Sequence, residues 1–197
     1  MNKRLILTAI ISCSFCSVMH AGDITGNIKT KKDKYKKNAV VYIDKIEGKK
    51  FDPPKEHKIL DQKYLTFVPH VLPALTGTTV DFINSDDVLH NVFSPDNCAE
   101  KFNLGYWPKG EKRSYTFNEP GCLAVVLCNV HPEMEGYVVV VETPYYAVTD
   151  ENGNYLIKNV PPGNYILKIW HERLKGEEQE ITISQEGTVT ANFELKR

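Results

Sequence analysis

Apolar positions along this chain fall into short runs cut by Gly, Pro and Asn, a rhythm that predicts strands. Leu123-Ala124-Val125-Val126-Leu127 follows a Pro120-Gly121 turn, and Tyr137-Val138-Val139-Val140-Val141 opens at Gly136. Upstream, Ile24-Thr25-Gly26-Asn27-Ile28, Asn38 to Ile43, Phe67-Val68-Pro69 and the run from Leu75 to Asp86 read the same way. Past residue 145, Ala147 to Ile157 is interrupted by Asn152-Gly153, a hairpin signal between β-rich runs. Pro162-Gly163 marks a turn before Tyr165-Ile166-Leu167-Lys168-Ile169-Trp170. Ile181-Thr182-Ile183 and Val189 to Leu195 then alternate as strand faces do. The pattern predicts an all-β protein.

The chemistry sits between two of these runs. Cys128-Asn129-Val130-His131-Pro132-Glu133-Met134 sets a thiolate, an imidazole and a thioether within one short loop, and His90 lies far upstream in Val88-Leu89-His90-Asn91-Val92-Phe93-Ser94. Donors at i, i+3 and i+6 converge on one ion if the chain turns tightly between two strands. Pro132 fixes φ in that turn and stiffens it. Two histidines and a cysteine with a weak methionine form the ligand inventory of a blue-copper electron-transfer site. Other readings stay open. Cys128 and His131 would also serve as half of a zinc site, though structural zinc takes four Cys/His ligands and leaves Met134 unused. A Cys/His nucleophile pair lacks a third, orienting group. Met134 alone would read as core filler.

On these residues the chain resembles the cupredoxins, small single-copper proteins with a Greek-key β-barrel or sandwich, and its ligand loop resembles their short-loop, amicyanin-type members. The upstream half carries the resemblance too: Phe67-Val68-Pro69, a Gly77 turn, Val80-Asp81-Phe82-Ile83-Asn84, then His90, and later Tyr115-Thr116-Phe117 with Pro120-Gly121. The resemblance implies a cupredoxin domain over residues 55–142 holding one type 1 copper ion. It makes His90, Cys128 and His131 the strong ligands and Met134 the axial one. Asn91 and Pro132 would support them from outside the ligand set, where hydrogen bonds tune potential and orientation. It further implies one-electron exchange with transient redox-protein partners through the edge of His131, with Val130 and Pro132 in an apolar contact patch. Neighbouring copper chemistries do not fit. A dicopper centre needs a second loop cysteine, and Cys122 is too far back. A trinuclear cluster needs histidines flanking the cysteine, where Leu127 and Asn129 stand. The expectation is therefore an electron carrier and not an enzyme. The alternatives are a periplasmic copper carrier or store, and a non-catalytic carbohydrate- or protein-binding module.

Thr149-Asp150-x-x-Gly153-x-Tyr155 and Val160-Pro161-Pro162-Gly163-x-Tyr165 resemble the carboxypeptidase regulatory-like (transthyretin-like) β-sandwich, a second small immunoglobulin-like fold. The opening strands of that family have no counterpart after residue 143, whereas residues 24–46 supply them. The expected sandwich is therefore discontinuous, 23–48 plus 143–197, with the cupredoxin inserted. The alternative is two sequential domains, with 23–48 belonging to the cupredoxin.

Composition narrows the setting. The chain has 197 residues, 42% hydrophobic and 25% charged, with 24 basic against 25 acidic residues. That balance points to neither nucleic acid nor a strongly anionic membrane as partner. Lys3 and Arg4 followed by an apolar stretch to Met19 read as a signal peptide over residues 1–21, too short to span a bilayer, so the protein is expected to be periplasmic or secreted. Ile10-Ile11-Ser12-Cys13 offers a second reading, a lipoprotein box with a lipid anchor at Cys13. With Cys13 and Cys16 in the presequence and Cys128 taken by copper, Cys98 and Cys122 remain, and an oxidising compartment favours a disulfide between them. Lys29, Lys31, Lys32, Lys34, Lys36 and Lys37 read as a solvated loop or a docking surface for an acidic partner. Trp107 with Tyr106 is expected beside the site, and Trp170 in the core of the second sandwich. His57, His70 and His171 read as structural or exposed.

Overall fold

The computed structural model describes residues 21–95, 101–185 and 187–197, so the expected signal peptide and Cys13, as well as Cys98, lie outside the described residues. Among the described residues the regular structure is strand throughout, apart from one 3-10 turn at Asp33–Tyr35. The all-β expectation holds.

Among the described residues the strands form four sheets. The middle of the chain makes two of them. β3 (Lys58–Lys63), β4 (Thr66–Val68), β6 (Thr78–Asn84) and β9 (Lys112–Phe117) form one, in the order β4-β3-β6-β9. β5 (Val71–Leu75), β7 (His90–Ser94), β8 (Phe102–Trp107), β10 (Leu123–Leu127) and β11 (Glu135–Val141) form the other, in the order β5-β11-β10-β7-β8. Between them lies a core that includes Leu60, Phe67, Val80, Phe82, Val92, Trp107, Phe117, Val126 and Val138.

Strands from both ends of the chain make the remaining two sheets. β1 (Gly22–Lys29) lies between β13 (Asn154–Val160), antiparallel, and β16 (Thr188–Thr190), parallel, and β17 (Phe193–Glu194) also pairs with it. β2 (Val40–Ile43) lies between β12 (Tyr146–Val148) and β14 (Gly163–Trp170), and β15 (Gln179–Ile183) closes that sheet. A second core, with Ile24, Ile28, Val41, Ile43, Ile157, Leu167 and Phe193, fills the space between them. Gly26 is required there: a Cβ on it would fall 1.7 Å from the Ala191 carbonyl oxygen.

β11 explains how the layers stack. Val138 and Val140 point into the middle core, while Tyr137, Val139 and Val141 point the other way, onto Val40, Tyr42, Tyr146 and Trp170 of the chain-end sheet. A strand covered on both faces reads as a continuous apolar run, which Tyr137 to Val141 is. Each side chain buried on that second face is worth roughly 2 kcal/mol.

Two expectations need correction. Asn152-Gly153 turns the chain tightly, with Gly153 at φ 82° and its amide on the Asp150 carbonyl, but β12 and β13 on either side belong to different sheets, so the turn crosses the sandwich instead of closing a hairpin. Trp170 packs 5.2 Å from the Tyr137 ring in the cluster between layers, not in the sandwich core. Trp107, buried in the middle core, stands opposite His90 in the β7–β8 pair, and the exposed Tyr106 stands opposite Asn91, so both lie beside the loop as expected.

Candidate metal centre

Two strands and one loop deliver the donors. β7 begins at His90 and is antiparallel to both β8 and β10, and β10 ends one residue before Cys128. The chain then turns through residues 129–134 and re-enters the sheet as β11. The Met134 amide donates to the His131 carbonyl at 3.0 Å, which closes the loop. Gly136 lets that re-entry run close against the other sheet, since a Cβ there would sit 2.8 Å from Cβ of Phe67.

The loop brings three donors together. One ligand atom each from His90, Cys128 and His131 lies within 4.8 Å of the others. Nδ1 of His90 faces Nδ1 of His131 at 3.1 Å, and Sγ of Cys128 is 3.9 Å from Nδ1 of His90. His90 and Cys128 are buried and His131 is partly exposed. Met134, the last residue of the loop, is buried in the middle core with Cys128. Two imidazole nitrogens this close repel unless a proton or a cation lies between them, and a thiol beside them completes a soft donor set. The residues therefore fit a copper ion held by two Nδ1 atoms and one sulfur.

Side chains around the donors fix one another. Asn91 donates through Nδ2 to Oδ1 of Asn103 (2.8 Å) and to the Gly105 carbonyl (2.7 Å), and its Oδ1 accepts from the Asn129 amide (3.3 Å). It thus ties β7 to the residue after Cys128. Asp86 is the residue sequence reasoning missed. Its Oδ2 lies 2.9 Å from Nε2 of His90, and its two oxygens also accept from the amides of Tyr64 (2.8 Å) and Leu65 (3.0 Å). Burial works against its charge, but hydrogen bonds from Leu65, His90 and Tyr64 outweigh that and hold the carboxyl below the usual carboxylate range. Asn84 shapes the intervening turn, accepting from the Asp86 amide and donating to the carbonyls of Val88 and Trp107. Pro132 is exposed on the loop.

The other singled-out residues lie apart. Cys128 is the free cysteine among the described residues, and Cys122 is buried in the middle core. His57 pairs with Asp81 and His70 with Glu172, and His171 is buried with Nδ1 accepting from the Arg173 amide. In the lysine-rich segment, Lys36 bridges Asp33 and Lys37 bridges Glu151.

Residues 55–141 match the family model for copper binding proteins, plastocyanin/azurin family, and residues 133–196 match the carboxypeptidase regulatory-like domain. The chain thus joins a copper-binding segment of the plastocyanin/azurin type to a carboxypeptidase regulatory-like one. Similar solved structures include a mutant of amicyanin in its Cu(I) form, with 27% identity, TM-score 0.40, 43% of this chain and 81% of that one covered. They also include a purple cupredoxin from Nitrosopumilus maritimus, with 26% identity, TM-score 0.38, 42% and 98% covered. A copper-containing nitrite reductase from Thermus scotoductus SA-01 has 28% identity and TM-score 0.42, over 51% of this chain and only 25% of that one. No curated protein matches the chain.

Proposed function

We propose that the protein is an exported type 1 copper protein that carries single electrons, with His90, Cys128 and His131 as strong ligands and Met134 as the weak axial one. The observation that carries this reading is the convergence of two Nδ1 atoms and one buried sulfur at one end of a sheet pair that matches the plastocyanin/azurin family. Copper bound there would supply a one-electron Cu(II)/Cu(I) couple.

The residues of the chain do the rest. Asn91 and Asp86 hold the donors in place before any ion arrives, so the same positions serve both oxidation states. His90, Cys128 and Met134 are buried, which limits the access of water to their donor atoms. His131 is the partly exposed member, and Val130 beside it in the loop, Val88 and Leu89 just before His90, and Tyr106 opposite Asn91 are exposed. That rim suits the small, transient encounters of electron-transfer proteins. No open position for a substrate is part of this reading, and the protein acts as a carrier, not an enzyme.

The proposed layout places a signal peptide at 1–21 and the copper domain at 55–142, inserted into a sandwich of 23–48 plus 143–197. The pairing of β1 with β13, β16 and β17, and of β2 with β12 and β14, supports the insertion. Export also accounts for a Cys98–Cys122 disulfide, which agrees with Cys122 taking part in one. Among the described residues no helix is long and apolar enough to cross a membrane.

Cyclic voltammetry of the copper-loaded protein, with a Cu(I) chelator added afterwards, tests the carrier role. A reversible one-electron wave that survives the chelator supports electron transfer. Loss of copper to the chelator on reduction would instead make the protein a copper donor.

A further inference from the structure

The carboxylate of Asp86 bonds to two places at once. One is His90. The other is the tip of the β3–β4 turn, where Tyr64 (φ 58°) and Leu65 (φ 55°) both adopt the left-handed conformation that side-chain-bearing residues avoid. Successive amides at such a tip point the same way, and here both end on Asp86. The carboxylate is therefore clamped on one side by backbone and presents its remaining acceptor capacity to Nε2 of His90 at 2.9 Å.

That geometry selects a tautomer. An ionised carboxylate only accepts, so Nε2 of His90 must carry the proton, and Nδ1 is left with its lone pair turned toward Cys128 and His131. The ring of His90 is fully buried, and rotation about χ2 would break the bond to Asp86. We propose that Asp86 is the positioning residue of His90: anchored by the amides of Tyr64 and Leu65, it fixes the ring and its tautomer so that Nδ1 is a metal donor in the free protein. This rests on the copper reading above for its consequence, but not for its geometry.

The prediction is direct. Asp86→Ala weakens Cu(II) binding about tenfold or more, in the range expected when a carboxylate holding a ligand histidine is lost. It raises the reduction potential, because a negative charge that favours Cu(II) is gone, and it broadens or moves the His90 15N signals of the metal-free protein away from the Nε2–H pattern. Asp87→Ala is the control for charge alone. Asp87 is exposed, pairs with Lys109 and has no bond to His90. It should change affinity less than twofold and leave the 15N pattern intact. Tyr64→Gly with Leu65→Gly relieves the turn, so repeating Asp86→Ala in that background separates support of the turn from support of the ligand.

The expected result is that Asp86→Ala shows the same loss in both backgrounds. Wild-type affinity and tautomer in Asp86→Ala, or an equal effect from Asp87→Ala, or disappearance of the effect in the glycine background, would overturn the proposal. A wild-type protein that gives no thiolate charge-transfer band with Cu(II) would sink the copper reading instead, and the 15N measurement on metal-free protein would still decide the role of Asp86.

Discussion

The two halves of this molecule treat buried polar side chains differently. In the chain-end sandwich such groups serve the backbone. Thr149 donates to the Lys36 carbonyl and accepts from the Ala39 amide, Thr143 donates to Ile43, Tyr155 to Ala191 and Tyr165 to Pro161. Each bond closes on a main-chain group, and nothing is left over. At the end of the middle sheets, polar side chains bond to one another and to the turns that bear them. They hold His90 and the residue after Cys128, and the ligand atoms of His90, Cys128 and His131 lie within 4.8 Å of one another. A buried polar group that caps a carbonyl is architecture. A set that leaves unspent donor atoms aimed at one spot is a site.

Substitutions can break or sharpen that contrast. The largest effect belongs to the sandwich: Gly26→Ala drives a Cβ into the Ala191 carbonyl and the Tyr155 ring, costing about 3 kcal/mol or more. Urea unfolding should show the protein strongly destabilised or failing to accumulate. An unchanged midpoint would mean that β1 does not run against the Ala191 carbonyl. Asn91→Ala should cost about 2 kcal/mol, since it unpairs the Gly105 carbonyl and the Asn129 amide, and it should also shift the copper absorption band. Destabilisation with an unmoved band would make Asn91 architecture like Thr149.

Asp81 offers a pH test. Although burial opposes its charge, hydrogen bonds from Lys112, Ser114 and His57 and the Lys112 charge lower its carboxyl to about 2. Its folded pKa lies below the unfolded one, so the stabilisation is complete above the ordinary aspartate range, near pH 4, and is lost as pH falls through about 2. Because Lys112 and His57 are half exposed, roughly 1–2 kcal/mol is at stake. Asp81→Asn should lower the urea midpoint at pH 6 and converge with wild type near pH 2. Parallel curves across that window would contradict the assignment. The smallest effect is Tyr155→Phe, which leaves the Ala191 carbonyl short of one donor at about 1 kcal/mol and does not touch the copper spectrum.

Much of this was legible in the sequence where one residue type has few uses. Cysteine, histidine and methionine at i, i+3 and i+6 between two apolar runs have a narrow range of meanings, and the runs themselves became β10 and β11. Strands with mixed or charged faces were harder. Lys58–Lys63 carries no apolar run, yet it forms β3 because β6 pairs with it in parallel and β4 closes against it. Asp86 was invisible for a related reason. It stands at the end of the run from Leu75 to Asp86 that reads as strand, and nothing local shows that the amides of Tyr64 and Leu65 will reach its carboxylate. Trp170 was misplaced because a tryptophan ending an alternating strand gives no sign of which layer will cover it.

The central claim is that His90, Cys128 and His131 form one blue-copper site. The visible and EPR spectra of the purified protein after Cu(II) addition test it most directly, with Cys128→Ser alongside. The account predicts an intense thiolate-to-copper charge-transfer band and narrow copper hyperfine splitting, both absent in Cys128→Ser. A weakly coloured protein with an ordinary copper spectrum, or a spectrum indifferent to Cys128, would contradict it.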